Sequence, residues 1–386
     1  MIRYGAGIRQ YGTHRSLTGQ RVPGNPRTGA LGLDAIIVPA TRPAAYLDHA
    51  VTLARAAQCS LVILCSQHLH GEEVKEYLAA RSFNDAIVID LPSGYSHPLF
   101  DFGRLHDIKD QLPPECGYLI DLSMKRNVGL VLARMLGWQR VFFLDDDIRD
   151  IAYPDLQRTV DMLGSFSAVG MRVTEYPDNS IVCHANRITG GAQDVFVSGA
   201  ALAVDCDSDI GFFPGIYNED WFFFSEDAAN LKIARVGVSR QRKYDPYKDP
   251  QRAVKEEFGD LLAEGLYARL DVHWDIAGVD VGYWADFIEI RKEFLSRVAE
   301  SLTRHPDSER DNYKGREVRA AQVSIGEAQR QLKGIKPELC QTFIKLWQAD
   351  LVKWRRYVAK LPRFGSVVSA LDYLKLPFEE FNPHSR

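Results

Sequence analysis

The 386-residue sequence has no paired cysteines, no long apolar run and no excess of cationic charge. Its six cysteines, Cys59, Cys65, Cys116, Cys183, Cys206 and Cys340, include no Cys-x-x-Cys pair. That excludes a zinc knuckle and a dense disulfide framework, and it fits free thiols in a reducing compartment. No stretch approaches the ~20 apolar residues that a helix needs to cross a bilayer. The opening MIRYGAGIRQYGTHRSLTGQ also lacks the apolar core of a signal peptide, so a cytoplasmic protein is expected. With 47 Lys and Arg against 51 Asp and Glu, the net charge of -4 excludes a general electrostatic grip on nucleic acid or anionic lipid. No nucleic-acid partner is expected.

The composition, 46% hydrophobic and 25% charged, is that of an ordinary globular chain long enough for one large domain with additions. Residues 1–32 are rich in Gly, Arg, Ser, Thr and Pro without a period, which predicts an irregular arm, with the ordered fold starting near Leu33. Apolar runs at Ala35 to Pro39, Leu61 to Cys65, Ala86 to Asp90 and Val141 to Leu144 alternate with helical patterns at Ala44 to Ala57, Val74 to Ala80 and Lys125 to Leu136. Such alternation predicts a mostly parallel sheet covered by helices on both faces, over residues 33–150. The pattern loosens over 151–283, where short strand-like segments predict a smaller mixed sheet completing the site. From 284 to 386, apolar residues recur at helical spacing (Trp284, Phe287, Ile288, Phe294; then Leu339, Phe343, Trp347, Trp354), predicting a helical C-terminal region. These helices could form a homodimer interface or rest on a membrane surface, Trp354 lying beside Lys353, Arg355 and Arg356, although core packing is the favoured use.

The sharpest local feature is Val141 to Asp147, an apolar strand that ends in the carboxylates Asp145, Asp146 and Asp147. Adjacent acids at a strand end repel one another unless a cation neutralises them, and a hard divalent ion such as Mg²⁺ or Mn²⁺ prefers oxygen ligands. A solvated acidic turn is the plainer alternative. Lys125, Arg126 and Asn127 open the helical pattern that precedes this strand, which places cationic and amide groups near a helix N-terminus, where phosphate is favoured. Downstream, Asn218, Glu219 and Asp220 precede an aromatic run, and either carboxylate could serve as a base or simply cap a helix.

The stretch KRNVGLVLARMLGWQRVFFLDDDI, Lys125 to Ile148, resembles the Arg-Asn-x-Gly helix and acid-x-acid strand end of GT-A glycosyltransferases, in particular glycosyltransferase family 2. The resemblance covers roughly residues 33–235. It implies an α/β GT-A fold, a Rossmann-like mostly parallel sheet flanked by helices, and transfer of a hexose from a nucleoside diphosphate sugar to an acceptor hydroxyl. It further implies Asp145 and Asp147 as ligands of Mn²⁺ or Mg²⁺, with His273 a candidate third ligand. Donor contacts would come from Pro39, Thr41, Arg42, Asp90, Lys125, Arg126, Asn127, Asp145, Asp146 and Gly199, and Asp220, or else Glu219, would be the base of an inverting transfer. The sequence departs from the family where an acidic pair commonly follows the second strand, for it has Cys65-Ser66-Gln67 there. A retaining transferase, a sugar-phosphate nucleotidyltransferase and a non-catalytic nucleotide-sugar-binding scaffold are the rivals. The nucleotidyltransferase lacks its glycine-rich phosphate loop after the first strand.

Overall fold

A computed structural model describes residues 14, 17–18, 32–101, 108, 117–174, 180–191, 197–209, 211–273 and 275–377, with backbone only for 117–120. The expected arm therefore lies mostly outside the described residues, as does Cys116. Where it is described it is not peripheral. His14 and Leu17 are fully buried, and Thr18 bridges to Ile233.

Eight strands form one sheet: β1 Ala35–Ala40, β2 Ser60–Cys65, β3 Ala86–Asp90, β4 Arg140–Leu144, β5 Ile148–Arg149, β6 Ala168–Thr174, β7 Ala201–Asp205 and β8 Ile233–Gln241, in the order β3-β2-β1-β4-β7-β6-β8-β5. The pairings from β3 to β4 are all parallel. Beyond β4 they are mixed: β7 is antiparallel to both β4 and β6, β6 is parallel to β8, and β5 is antiparallel to β8. The expected separate small sheet is thus a continuation of the first, because apolar β7 pairs along the free side of β4, from Arg140 with Asp205 to Leu144 with Ala201. Chain order and sheet order then conflict at β5, which leaves the end of β4 and pairs at the far edge with β8. The ends of β4 and β8 are brought together by that connection.

The strands of the parallel half read as continuous apolar runs because both of their faces are covered. In β1, Ile36, Val38 and Ala40 point into one apolar cluster with α1 (Asp48–Ala57), α2 (Gly71–Ala79) and α4 (Tyr153–Met162). Ala35 and Ile37 point into the other, against α3 (Gly117–Leu136). Helix α3 sits close to the sheet at Gly129, where a Cβ would come within 2.9 Å of Ile37. The glycine of the Lys-Arg-Asn-x-Gly pattern is therefore a packing requirement, and it sets the height at which Lys125 and Arg126 meet the strand ends.

The remaining helices are α5 Ile181–Ile188, α6 Glu219–Phe223, α7 Ser225–Ala229, α8 Gln251–His273, α9 Val281–Thr303, α10 Tyr313–Gly334, α11 Pro337–Val358 and α12 Val367–Leu374. The long helices thus begin at Gln251, some thirty residues before the expected start of the helical region. Trp284, Phe287, Ile325, Trp347 and Trp354 join the same apolar cluster as Phe143 and Phe213, so these helices share a core with the sheet. Trp347 and Trp354 are nearly fully buried, packed on Phe222 and Phe212, and supply no membrane-facing surface. Among the described residues no helix is long and apolar enough to cross a membrane, and Cys59, Cys65, Cys183, Cys206 and Cys340 are free thiols.

Candidate active site

The site is built where β4 ends. Its three carboxylates point in different directions and have different partners. Asp146 is buried and accepts from the backbone N–H groups of Thr41 and Arg42, at 2.9 and 3.0 Å, and from the Arg42 guanidinium. It ties down the loop that leaves β1, Oδ2 taking the two backbone N–H groups and Oδ1 the guanidinium. Thr41 is accordingly placed by its backbone, while the buried Pro39 belongs to β1 itself. Asp147 lies 3.0 Å from Arg42 and accepts from Gln241 at 3.2 Å, at the end of β8. Burial, reinforced by Asp145 and Asp146, pushes the Asp147 carboxyl up to about 6 against the pull of Arg42. Asp145, the most exposed of the three, accepts from Arg126 at 2.8 Å.

Arg126 is the hub. It extends from α3 almost fully buried, with one Nη on Asp145 and the other on Glu219. It thus joins the end of β4 to the start of α6, two acidic motifs separated by more than seventy residues of sequence. The passage is open only because position 199 is glycine, where a Cβ would stand 2.7 Å from Arg126 and 3.1 Å from Asp220. The Gly199 N–H also donates to Asp220 at 2.6 Å, and the Trp221 N–H donates to its other oxygen at 2.9 Å. Burial pushes the Glu219 and Asp220 carboxyls above the usual carboxylate range, while Arg126 pulls both back. A carboxylate fixed by two backbone donors yet raised by burial is oriented like a general base and more basic than an exposed acid.

The other expected residues divide into two groups. Lys125 is buried next to the hub, its ammonium on the Ala40 carbonyl at 2.8 Å and on Asp121 at 3.0 Å. Asn127 pairs through both ends of its amide with the Phe213 backbone, so it holds the turn before α6 and does not face a ligand. Asp90 stands apart, accepting from the Gly71 N–H at 2.8 Å as a cap on α2. His273 is exposed at the last position of α8, with no hydrogen bond or ion pair to the carboxylates. It was inferred from chain order alone, and the helix carries it elsewhere.

Two participants were not expected. Gln241 reaches Asp147 from β8, a strand with no strong sequence signal. Asp121, one helical turn before Lys125, accepts from Ser66 at 2.9 Å and Gln67 at 3.2 Å. The acid missing after β2 is therefore supplied to that spot by α3. The i, i+4 spacing of Asp121 and Lys125 was the available clue.

Among the described residues no group of three or more His, Cys, Asp or Glu side chains is arranged to hold a metal ion. Mg²⁺, however, typically binds through one or two carboxylates and takes its other ligands from substrate phosphates and water. Asp145 and Asp147 offer all-oxygen donors of that kind, each carrying an arginine where a cation would otherwise be needed. The donor set fits a hard divalent ion.

No protein-family model matches the chain, and comparison with curated proteins gives no match. In structure the chain is similar to the mannosyltransferase PcManGT from Pyrobaculum calidifontis, solved in complex with GDP-Man and Mn²⁺. The TM-score is 0.44 at 11% sequence identity, over 89% of this chain and 92% of that one. A likeness of that degree decides neither fold nor function, which the residues of the site must carry.

Proposed function

We propose that this chain is a GT-A glycosyltransferase that moves a hexose from a nucleoside diphosphate sugar onto an acceptor hydroxyl with inversion, Asp220 acting as base. The observation that supports it is the convergence on Arg126 of the strand-end acids and the Glu219–Asp220 pair, with Asp220 held by the Gly199 and Trp221 amides. A transferase needs a place for a diphosphate next to an oriented base, and in this reading Arg126 links the two.

In this reading Asp145 and Asp147 hold Mg²⁺ or Mn²⁺, which when bound offsets the charge of the departing diphosphate. Arg42, 44% exposed at its side chain, is free to turn from the carboxylates toward a phosphate oxygen. Arg126 keeps Glu219 and Asp145 in place. Asp220 receives the acceptor proton on the carboxylate lone pairs not taken by the two backbone N–H donors. Exclusion of water falls to the aromatic residues after it, Trp221 to Phe224, all buried.

The test is a binding and hydrolysis screen of UDP-, GDP-, ADP- and TDP-sugars with Mn²⁺ or Mg²⁺, comparing the wild type with Asp147→Ala and Asp220→Asn. One donor bound in a metal-dependent way, with binding lost in Asp147→Ala and turnover lost but binding kept in Asp220→Asn, is the expected result. No donor bound by the wild type under any metal would overturn the proposal.

A further inference from the structure

The geometry points to Asp260 on α8 as a positioning residue that sets the Glu219–Asp220 pair, with Arg291 on α9 as its anchor. This rests on the proposed role of Asp220 and extends it, because it makes the C-terminal helices part of the catalytic device.

The case begins with the backbone just before the acidic pair. Asn218 is in the left-handed region, φ 61°, a conformation that costs most side chains free energy and that asparagine tolerates better than most. The next residue starts α6, so the aim of Glu219 and Asp220 depends on this one turn. Two contacts from α8 hold it. The Asn218 side chain donates to Asp260 Oδ1 at 2.9 Å. One residue earlier, Gly259 lets α8 lie directly on the Tyr217 carbonyl, where any Cβ would collide with that oxygen. Two turns along the same helix, the Tyr267 hydroxyl donates to the Trp221 carbonyl at 2.9 Å. Helix α8 thus grips the chain on both sides of the pair, at 217–218 and at 221.

Asp260 is itself fixed. Its other oxygen accepts from Ser180 at 2.7 Å and from Arg291 at 3.0 Å. Arg291 is fully buried and pairs with both oxygens of Glu257 at 2.9 Å and with Glu264 at 2.6 Å. Glu257, Asp260 and Glu264 occupy one face of α8, and α9 supplies the cation that makes this face buriable. A structural seam between α8 and α9 would need the arginine and acids alone. It would not need the asparagine in a strained turn, the glycine beneath Tyr217 or the hydroxyl on Trp221, all of which converge on the acidic pair.

Asn218→Gly tests this with little risk to folding, since glycine accepts the left-handed turn while the tether is lost, and Tyr267→Phe checks the clamp without the added backbone freedom of glycine. Asp260→Asn retains an acceptor for Asn218, whereas Tyr267→Phe removes the grip at Trp221. The readouts are amide hydrogen exchange over 197–224, melting temperature, and Mn²⁺-dependent hydrolysis of UDP-glucose, GDP-mannose, ADP-glucose and TDP-glucose. We expect faster exchange in the Gly199 and Trp221 peptides of Asn218→Gly, at nearly unchanged melting temperature. For whichever donor the wild type hydrolyses, kcat should fall about 10- to 100-fold with KM within about twofold. Asp260→Asn should speed exchange over the same peptides, because its amide nitrogen cannot accept from Ser180 and Arg291 as the carboxylate does, and Tyr267→Phe should resemble Asn218→Gly. Exchange and kcat both unchanged in Asn218→Gly and Tyr267→Phe would overturn the inference, as would a kcat loss matched by a general drop in melting temperature. Faster local exchange in a protein whose wild type hydrolyses none of the four donors would uphold the clamp and count against the transferase reading.

Discussion

Two of the chain's arginine–carboxylate clusters have different surroundings. At the end of β4, Arg42 and Arg126 neutralise Asp145, Asp146, Asp147 and Glu219 at the edge of a site, and Arg42 is 44% exposed at its side chain. Between α8 and α9, Arg291 neutralises Glu257, Asp260 and Glu264 with no exposure at all. The chemistry is the same, but the first cluster can exchange its cation for another while the second cannot. An exposed ion pair contributes little to stability and is replaceable, whereas a buried one is costly to break because each abandoned charge stays buried. One is suited to binding, the other to holding a frame.

The largest effect expected on the exchangeable side is catalytic. Asp220→Asn should lower donor turnover by about 100- to 10,000-fold, the usual reach of a positioned base, and the melting temperature only by the loss of one backbone hydrogen bond. A kinetic assay beside a melting curve checks this, and a variant retaining a tenth of wild-type turnover would remove Asp220 from the role of base. On the frame side, Arg291→Met should cost about 3–5 kcal/mol of stability by leaving three carboxylates facing one another, read as a lowered urea midpoint. A loss below about 1 kcal/mol would mean that the acids are solvated and the contrast between the clusters is false.

A smaller effect concerns pH. Burial pushes Glu256 and Glu257 up to about 7 against the pull of their arginines. Carboxyls raised in the folded state are protonated there while the unfolded chain has already released its protons. The stability they provide is complete below about 4.5 and is lost as pH rises through about 7. The melting temperature should therefore decline between pH 5 and pH 8, and Glu257→Gln should flatten the decline. A curve as steep in that variant as in the wild type would separate this helix seam from the titration. The smallest effect belongs to Arg42→Met, which should cost less stability than Arg291→Met because Arg42 is half-exposed, although Asp146 and Asp147 stay buried without it. It should also strengthen Mn²⁺ binding without nucleotide several-fold, read by calorimetry, because the competing cation is gone. Weaker binding would show that Arg42 supports the metal site instead of standing in for its ion.

The same contrast explains what was legible in the sequence. Strands β1 to β4 were readable because both faces of each are buried, so their apolar runs have no gaps, and the acids after β4 stood out against that background. Helix α3, expected to open at Lys125, begins at Gly117, so Lys125, Arg126 and Asn127 lie within it and not at its N-terminus. Helix α8 was not readable, because its buried face carries Glu257, Asp260 and Glu264, which in one dimension look like a solvated stripe. Only Arg291, on another helix, makes that face an interior one. The position of His273 was hidden for a related reason, since a side chain's neighbours across the fold leave no mark on its own segment, whereas the capping of α2 by Asp90 was one of the two roles its place at a strand end allows. The continuous sheet was concealed by β5 and β8, one too short to show a period and the other only partly buried.

The burial of His14 has a consequence for the order in which the molecule can assemble. Its ring stacks on Tyr267, packs edge-on to Trp221 and accepts the Val197 N–H at 3.1 Å, partners synthesised some 180 to 250 residues later. Closing so long a span is entropically slow, and its contacts repay nothing until both ends are in place. The segment around His14 is therefore among the last to dock, sealing the aromatic floor beneath Trp221 only after α8 has formed. A polypeptide arrested before Tyr267 would hold the strand-end acids and Arg126 while His14 still lacked its stacking partner.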